Sequence, residues 1–279
     1  MIDALDHFVL LCPDIAAGTK AYETLLGRAP DWRASAGGAA TVLFRVENTA
    51  LELMAPHGDD GAAPRLRELT ADGPALTSLA FRAANIDTAH HNLARRGLAP
   101  DSIRPGESTD LLSGNTRRWQ RFRCRDDAMA GIKTFILQLE GGFSPVPVDK
   151  TSVHTLDHIV INTPNPDRAA ANYGARLGLD LRLDRTAPEW KTRFLFFRLG
   201  GLTLEIINRL DDESDPQSSD RIWGVTWSVH DIEGARARLT GKGLNCSDIR
   251  TGRKPGTRVF TVKSGTLGVP TLFITHDRD

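Results

Sequence analysis

The chain has no run of apolar residues approaching the ~20 that a membrane-spanning helix needs, so no membrane partner is expected. Its opening, MIDALDHFVLLCPD, has no basic residue ahead of a short apolar run that Asp3, Asp6 and His7 interrupt, which is not the pattern of a secretory leader. Cysteine is scarce. Cys12, Cys124 and Cys246 are far apart and form no C-x-x-C pair, which argues against a disulfide framework and a structural zinc site. Neither sign of charge dominates: Lys+Arg and Asp+Glu both number 35 and no long like-charged run occurs, so the basic footprint that nucleic acid requires is missing. Glycine-rich phosphate-binding patterns and G-x-S-x-G are also absent, which removes support for dinucleotide, nucleoside triphosphate and serine-hydrolase chemistry. These absences lead to the expectation of a soluble, cytoplasmic protein whose partner is a small molecule.

What is present is a duplication. At 279 residues the chain suits about two domains, and LDHFVLLCPDIAAGTKAYETLLG at 5–27 aligns without a gap on LDHIVINTPNPDRAAANYGARLG at 156–178. Each copy reads as an apolar strand, a Pro-containing turn, an Asp near a helix start, and a helix closed by Gly. Short strand candidates follow, ATVLFRVEN and ALELMAP in the first half, TRFLFFRLG and LTLEIINRL in the second. A weaker echo pairs residues 76–100 with 222–246, again strand then helix, and each leads to further strands. The predicted fold is therefore α+β, with four βαβββ modules in two tandem domains, 1–143 and 153–279. Residues 141–153, GGFSPVPVDKTSV, read as an exposed connector. One module leaves a sheet face open; two paired modules curl around a shared cleft.

Alternation along the strands selects the residues that face this cleft. A strict period of two places Leu5, His7, Val9 and Leu11 on one face, and Leu156, His158, Val160 and Asn162 on its counterpart. Glu52 in ALELM and Glu205 in TLEII each stand among apolar neighbours, and they follow the histidines at nearly equal spacing. A carboxylate in that setting is costly to desolvate without a cation, a donor or water beside it.

These residues resemble the vicinal oxygen chelate superfamily, which includes glyoxalase I, bleomycin and fosfomycin resistance proteins, methylmalonyl-CoA epimerase and extradiol dioxygenases. The resemblance rests on LDHFVLL and LDHIVIN, on LELMAP and LEIIN, and on the four-module plan, and it covers nearly the whole chain. It implies a divalent metal, Zn, Mn, Ni or Fe, with His7 and Glu52 as ligands in the first half and His158 and Glu205 in the second. It further implies that Glu205 is the catalytic proton carrier. At the remaining ligand positions the alignment places Ser78 and Gln138 in one half and Gly224 and Thr275 in the other, all weaker ligands than His or carboxylate or none at all.

Two functions follow. One is a metal-assisted isomerase, lyase or ring-cleaving dioxygenase acting on a small oxygenated or aromatic metabolite, working in the second half. The other is a metal-free binding or sequestration protein of the bleomycin-resistance type, with Phe194, Phe196, Trp223 and Trp227 as apolar walls and Arg193 meeting an anionic group. A third variant joins the first and third modules to bring His7, Glu52, His158 and Glu205 into one shell. His276 falls on the face opposite Thr275, away from the ligand positions. The duplication fits a monomer or a homodimer.

Overall fold

A computed structural model describes residues 2–141 and 148–276. The proposed connector lies partly outside them, at 142–147. The first half runs β1 (Ile2–Leu11), α1 (Ile15–Leu26), β2 (Trp32–Ala36), β3 (Ala39–Arg45), β4 (Ala50–Pro56), α2 (Ala63–Leu69), β5 (Ala75–Ala83), α3 (Ile86–Arg95), β6 (Arg104–Thr109), β7 (Thr116–Arg123) and β8 (Lys133–Leu139). The second runs β9 (Thr155–Asn162), α4 (Pro166–Ala169, continued by a π-helical stretch, Ala170–Arg176), β10 (Asp180–Ala187), β11 (Thr192–Leu199), β12 (Leu202–Arg209), β13 (Arg221–Ser228), α5 (Ile232–Gly241), β14 (Arg250–Thr251), β15 (Thr257–Val262) and β16 (Thr271–His276). Four βαβββ modules are thus present, as the repeat predicts.

The four module helices start alike. Asp14, Asn85, Asn165 and Asp231 each turn a side-chain oxygen onto a backbone N–H of the first turn, a cap worth about 1 kcal/mol. Gly27 closes α1 in the left-handed region, φ 70°, where a side chain would be strained.

Within each half the two modules share one eight-stranded sheet, ordered β2-β3-β4-β1-β5-β8-β7-β6 and, identically, β10-β11-β12-β9-β13-β16-β15-β14. β1 pairs with β5 and β9 with β13, so first and third modules lie in different sheets and the shared four-residue shell does not form within the chain. The first sheet curls until its edge strands meet: Trp32 Nε1 donates to Ser108 Oγ at 2.8 Å, and the Arg33 N–H to Asp110 Oδ1 at 2.8 Å.

A single extra residue corrects the face assignment. β1 is bulged between Leu5 and His7, and β9 is irregular at the matching place, between Leu156 and His158. Asp6 and Asp157 are the inserted residues. Parity therefore breaks: Leu5 joins Phe8 and Leu10 in the core, and Leu156 joins Ile159 and Ile161, leaving His7 and His158 on the opposite face.

One apolar core spans both halves. Phe8 of β1 meets Trp227 of β13 with ring centroids 5.9 Å apart. Backbone bonds Glu47 N to His154 O and Val153 N to Leu26 O, both 2.9 Å, stitch the seam. Asn48 bonds Leu156 in both directions, at 2.8 and 3.0 Å, and Arg238 donates to the carbonyls of Thr24, Leu25 and Thr151.

The clefts differ. In the first, α2 sets Leu66 and Leu69 against Val9, Leu11 and Met54 and plugs one end. No helix occurs between β12 and β13, where 210–220 is turns and coil with mostly exposed side chains, so the second cleft has no such plug.

Candidate functional site

The bulge gives each cleft a three-residue chain of polar contacts. In the second, His158 Nδ1 lies 2.7 Å from Asp157 Oδ1, and Nε2 lies 3.3 Å from Glu205 Oε2 and 2.8 Å from Thr226 Oγ1. In the first, His7 repeats this with Asp6 at 2.7 Å and Glu52 at 3.3 Å. A regular strand would put adjacent Asp and His side chains on opposite faces; the extra residue lets Asp and His meet. Because a carboxylate only accepts, Nδ1 carries a proton. Nε2 then accepts from Thr226 when the ring is neutral and donates to Glu205 when it is charged.

Electrostatics favour protons on this chain. Burial works against a charged His158, but the Asp157 hydrogen bond and the Glu205 charge prevail and raise its pKa. His7 is raised in the same way by Asp6 and Glu52. Burial raises Glu205, against the His158 and Arg253 charges. Asp157 is held down at about 2, burial being outweighed by hydrogen bonds and charge from His158 and His276.

His276 belongs to the cluster: its Nε2 lies 2.6 Å from Asp157 Oδ2, so it faces the cleft, contrary to its assignment from sequence. The register shows why: Leu272 pairs with Thr226, which stands opposite His158, so Leu272, Ile274 and His276 alternate onto the cleft face and Phe273 and Thr275 onto the other.

Other sequence candidates fall in different places. Phe196 pairs in register with Glu205 and so shares its face, and Phe194 stacks beside it at 6.1 Å. Trp190, which sequence reasoning missed, meets Phe194 edge-on at 6.0 Å, and Arg253 lies 4.6 Å over the Trp190 ring. Trp227 is fully buried against Phe8 and lines no cleft. Arg193 alternates with Phe194 onto the other face, where Asp184 and Asp167 occupy its guanidinium at 2.8–2.9 Å; it is not available to a cleft ligand. Trp223 is half exposed at an irregularity of β13.

The remaining ligand positions are also relocated. Opposite His7 stands Ala80, which pairs with Phe135; opposite His158 stands Thr226, which pairs with Leu272. Gln138 points to the other side and accepts from Ile86 N at the start of α3. Gly224 lies where a Cβ would come within 2.7 Å of Pro270 O. His276 of the second cleft is turned to Asp157, and each cleft thus brings one imidazole and one carboxylate to a common point. Their 3.3 Å separation suits two neighbouring ligands at ~2.1 Å from a shared metal, and the Asp behind the His is the usual outer partner. Among the described residues, however, no three His, Cys, Asp or Glu side chains converge as a metal shell. The donor set is half of one.

Comparison with known proteins gives the same architecture. A profile of the Glyoxalase-like domain matches residues 5–154, and one of the Glyoxalase/Bleomycin resistance protein/Dioxygenase superfamily matches 157–261. An ethylmalonyl-CoA/methylmalonyl-CoA epimerase from Cereibacter sphaeroides is 26% identical over 133 residues, which is 44% of this chain and 89% of the epimerase. Among solved structures, a mutant of 4-hydroxymandelate synthase from Streptomyces coelicolor superposes with a TM-score of 0.70 at 14% identity, covering 100% of this chain and 94% of that one. A Mn(II)-bound glyoxalase from Novosphingobium aromaticivorans gives 0.67 at 13% identity, covering 98% and 82%. At such identities the structural matches speak for the fold alone. With one profile spanning more than half of the chain and the other most of its second half, the chain belongs to the glyoxalase/bleomycin resistance/dioxygenase superfamily.

Proposed function

We propose that the chain is a small-molecule enzyme of this superfamily that works in its second cleft, with His158 and Glu205 as a proton-transferring pair acting on an oxygenated, aromatic or otherwise apolar metabolite. The observation that carries this reading is the Asp157–His158–Glu205 chain with Thr226, set beside Phe196 in a cleft that no helix fills. Glu205 is the group to take a proton from a carbon next to a carbonyl, and charged His158 is the donor that faces the oxyanion then formed; return of that proton by Glu205 to the adjacent carbon of the enediolate completes an isomerisation. Positioned acid–base groups of this kind contribute roughly 10²–10⁴-fold.

Among the described residues, His158 and Glu205 are the strong donors turned to a common point for a divalent cation, His276 being engaged by Asp157. The residues do not complete its shell, and the chemistry above is assigned to the side chains themselves. The incomplete donor set also disfavours oxygen-dependent ring cleavage, which relies on two histidines and a carboxylate with open positions. A second reading, ligand sequestration without turnover, is favoured by the Trp190–Phe194–Phe196 wall and the Arg253 charge over it.

The test is solvent deuterium incorporation, followed by proton NMR, across a panel of aromatic and aliphatic 2-oxo and 2-hydroxy acids, with metal content measured in parallel. Turnover that falls about 10²-fold or more in Glu205→Gln supports the enzyme. Binding without exchange, equal in wild type and Glu205→Gln, replaces it with the sequestration reading. Stoichiometric metal that vanishes in His158→Ala/Glu205→Ala would return the cation to the mechanism.

A further inference from the structure

The first cleft holds a second constellation, in which one arginine lies against two tryptophans. Arg117, on the cleft face of β7, lies with its guanidinium carbon 5.3 Å from the Trp32 ring and 5.2 Å from the Trp119 ring. Both rings are held in place. Trp32 is tied to Ser108, and Trp119 lies so close over Gly106 that a Cβ there would stand 2.5 Å from its indole. With aromatic rings against it, the guanidinium is left to bond through its edge, the side that matches two oxygens of one acid group. Its Nε is buried with no hydrogen-bond partner, and among the described residues no carboxylate pairs with Arg117 within 4 Å. A shielded donor left unmade is costly, and a bound acceptor would recover that cost.

A second cation stands near. Arg45 pairs in register with Ala50 and so shares the face of Glu52, and its pKa is depressed to about 10 by burial and by the Arg117 charge. Asp6 is close enough for both arginines to act on it, but one of its oxygens is committed to His7. α2 plugs the far end of this cleft and the β2–β6 contact closes its side, so the space suits a small ion rather than an extended one.

We propose that the first cleft is a binding site for a small anion carrying a carboxylate or phosphate group, taken edge-on by Arg117 with Arg45 beside it. This site is separate from the second cleft and does not depend on the function assigned there.

The probes are sodium phosphate and sodium succinate, each titrated calorimetrically into the full chain against sodium chloride at matched ionic strength, with Trp fluorescence followed alongside. The expected result is saturable binding of one of them, weakened at least tenfold in Arg117→Met and unchanged in Arg250→Met, at an exposed position of β14. Phosphate alone identifies a phosphoryl ligand; succinate alone identifies a carboxylic acid. Arg117→Lys, which keeps the charge and loses the planar fork, is expected to fold and to bind several-fold more weakly, and it serves if the Met variant does not fold. No saturable binding of either probe, or equal binding in wild type and both Arg117 variants, overturns the proposal.

Discussion

Asp157 is the residue whose charge state stability should report most directly. Its carboxyl titrates at about 2 in the folded chain against 3.8 ordinarily, held down by His158 and His276 against the effect of burial. A lowered acid pKa contributes stability above about pH 4 and loses it as pH falls through 2; the shift corresponds to about 2 kcal/mol. Urea unfolding should therefore show Asp157→Asn less stable than wild type by about that amount at pH 7, with the gap closing toward pH 2. Trp227 and Phe196 make the complementary pair. Trp227→Ala should cost about 3–5 kcal/mol because the ring is fully buried, whereas Phe196→Ala, on the half-buried cleft face, should cost less and act mainly on ligand affinity. Sequence could not separate these two. Both are aromatic residues on alternating strands, and which of them meets a neighbouring sheet is decided by contacts between the halves. The two histidines and two acids were legible because they recur at matched places in a repeat; Arg253 and Trp190 were not, since each lies in a connection without periodicity.

At the scale of elements, the repeat and the turn residues made every module legible, and what escaped was the one-residue bulge in β1 and β9. An added residue changes neither composition nor propensity; it changes which residues face the same way. Strict alternation therefore grouped Leu5 with His7 and left Asp6 and Asp157 out of the site, although these are the groups that fix the imidazole protons. The helix α2 also went unread, despite a Pro near its start. Its Leu66 anchors a small apolar cluster apart from the main core. Leu66→Ala should cost about 2 kcal/mol, at the low end for Leu to Ala because so few partners surround it, and hydrogen exchange should quicken first along α2 and at the β4 residues it covers.

For the whole molecule, a continuous core and a hydrogen-bonded seam make two similar halves one cooperative body. Calorimetric unfolding is expected as a single transition, and Arg238→Met should lower its midpoint without splitting it, since the three carbonyls that Arg238 serves lie on both sides of the seam. The seam was not legible in the sequence, because its bonds join residues far apart in the chain that no local pattern connects. It has a consequence of its own. His7 is followed by Phe8, Phe8 touches Trp227, Trp227 is preceded by Thr226, and Thr226 bonds His158. The two histidines, each at the bottom of its own cleft, are thus back to back through one aromatic contact. Thr226 and Trp227 are neighbours on β13, so the strand that holds one histidine from below is the same strand that walls off the other, and a substitution at Trp227 touches the floor of both clefts at once.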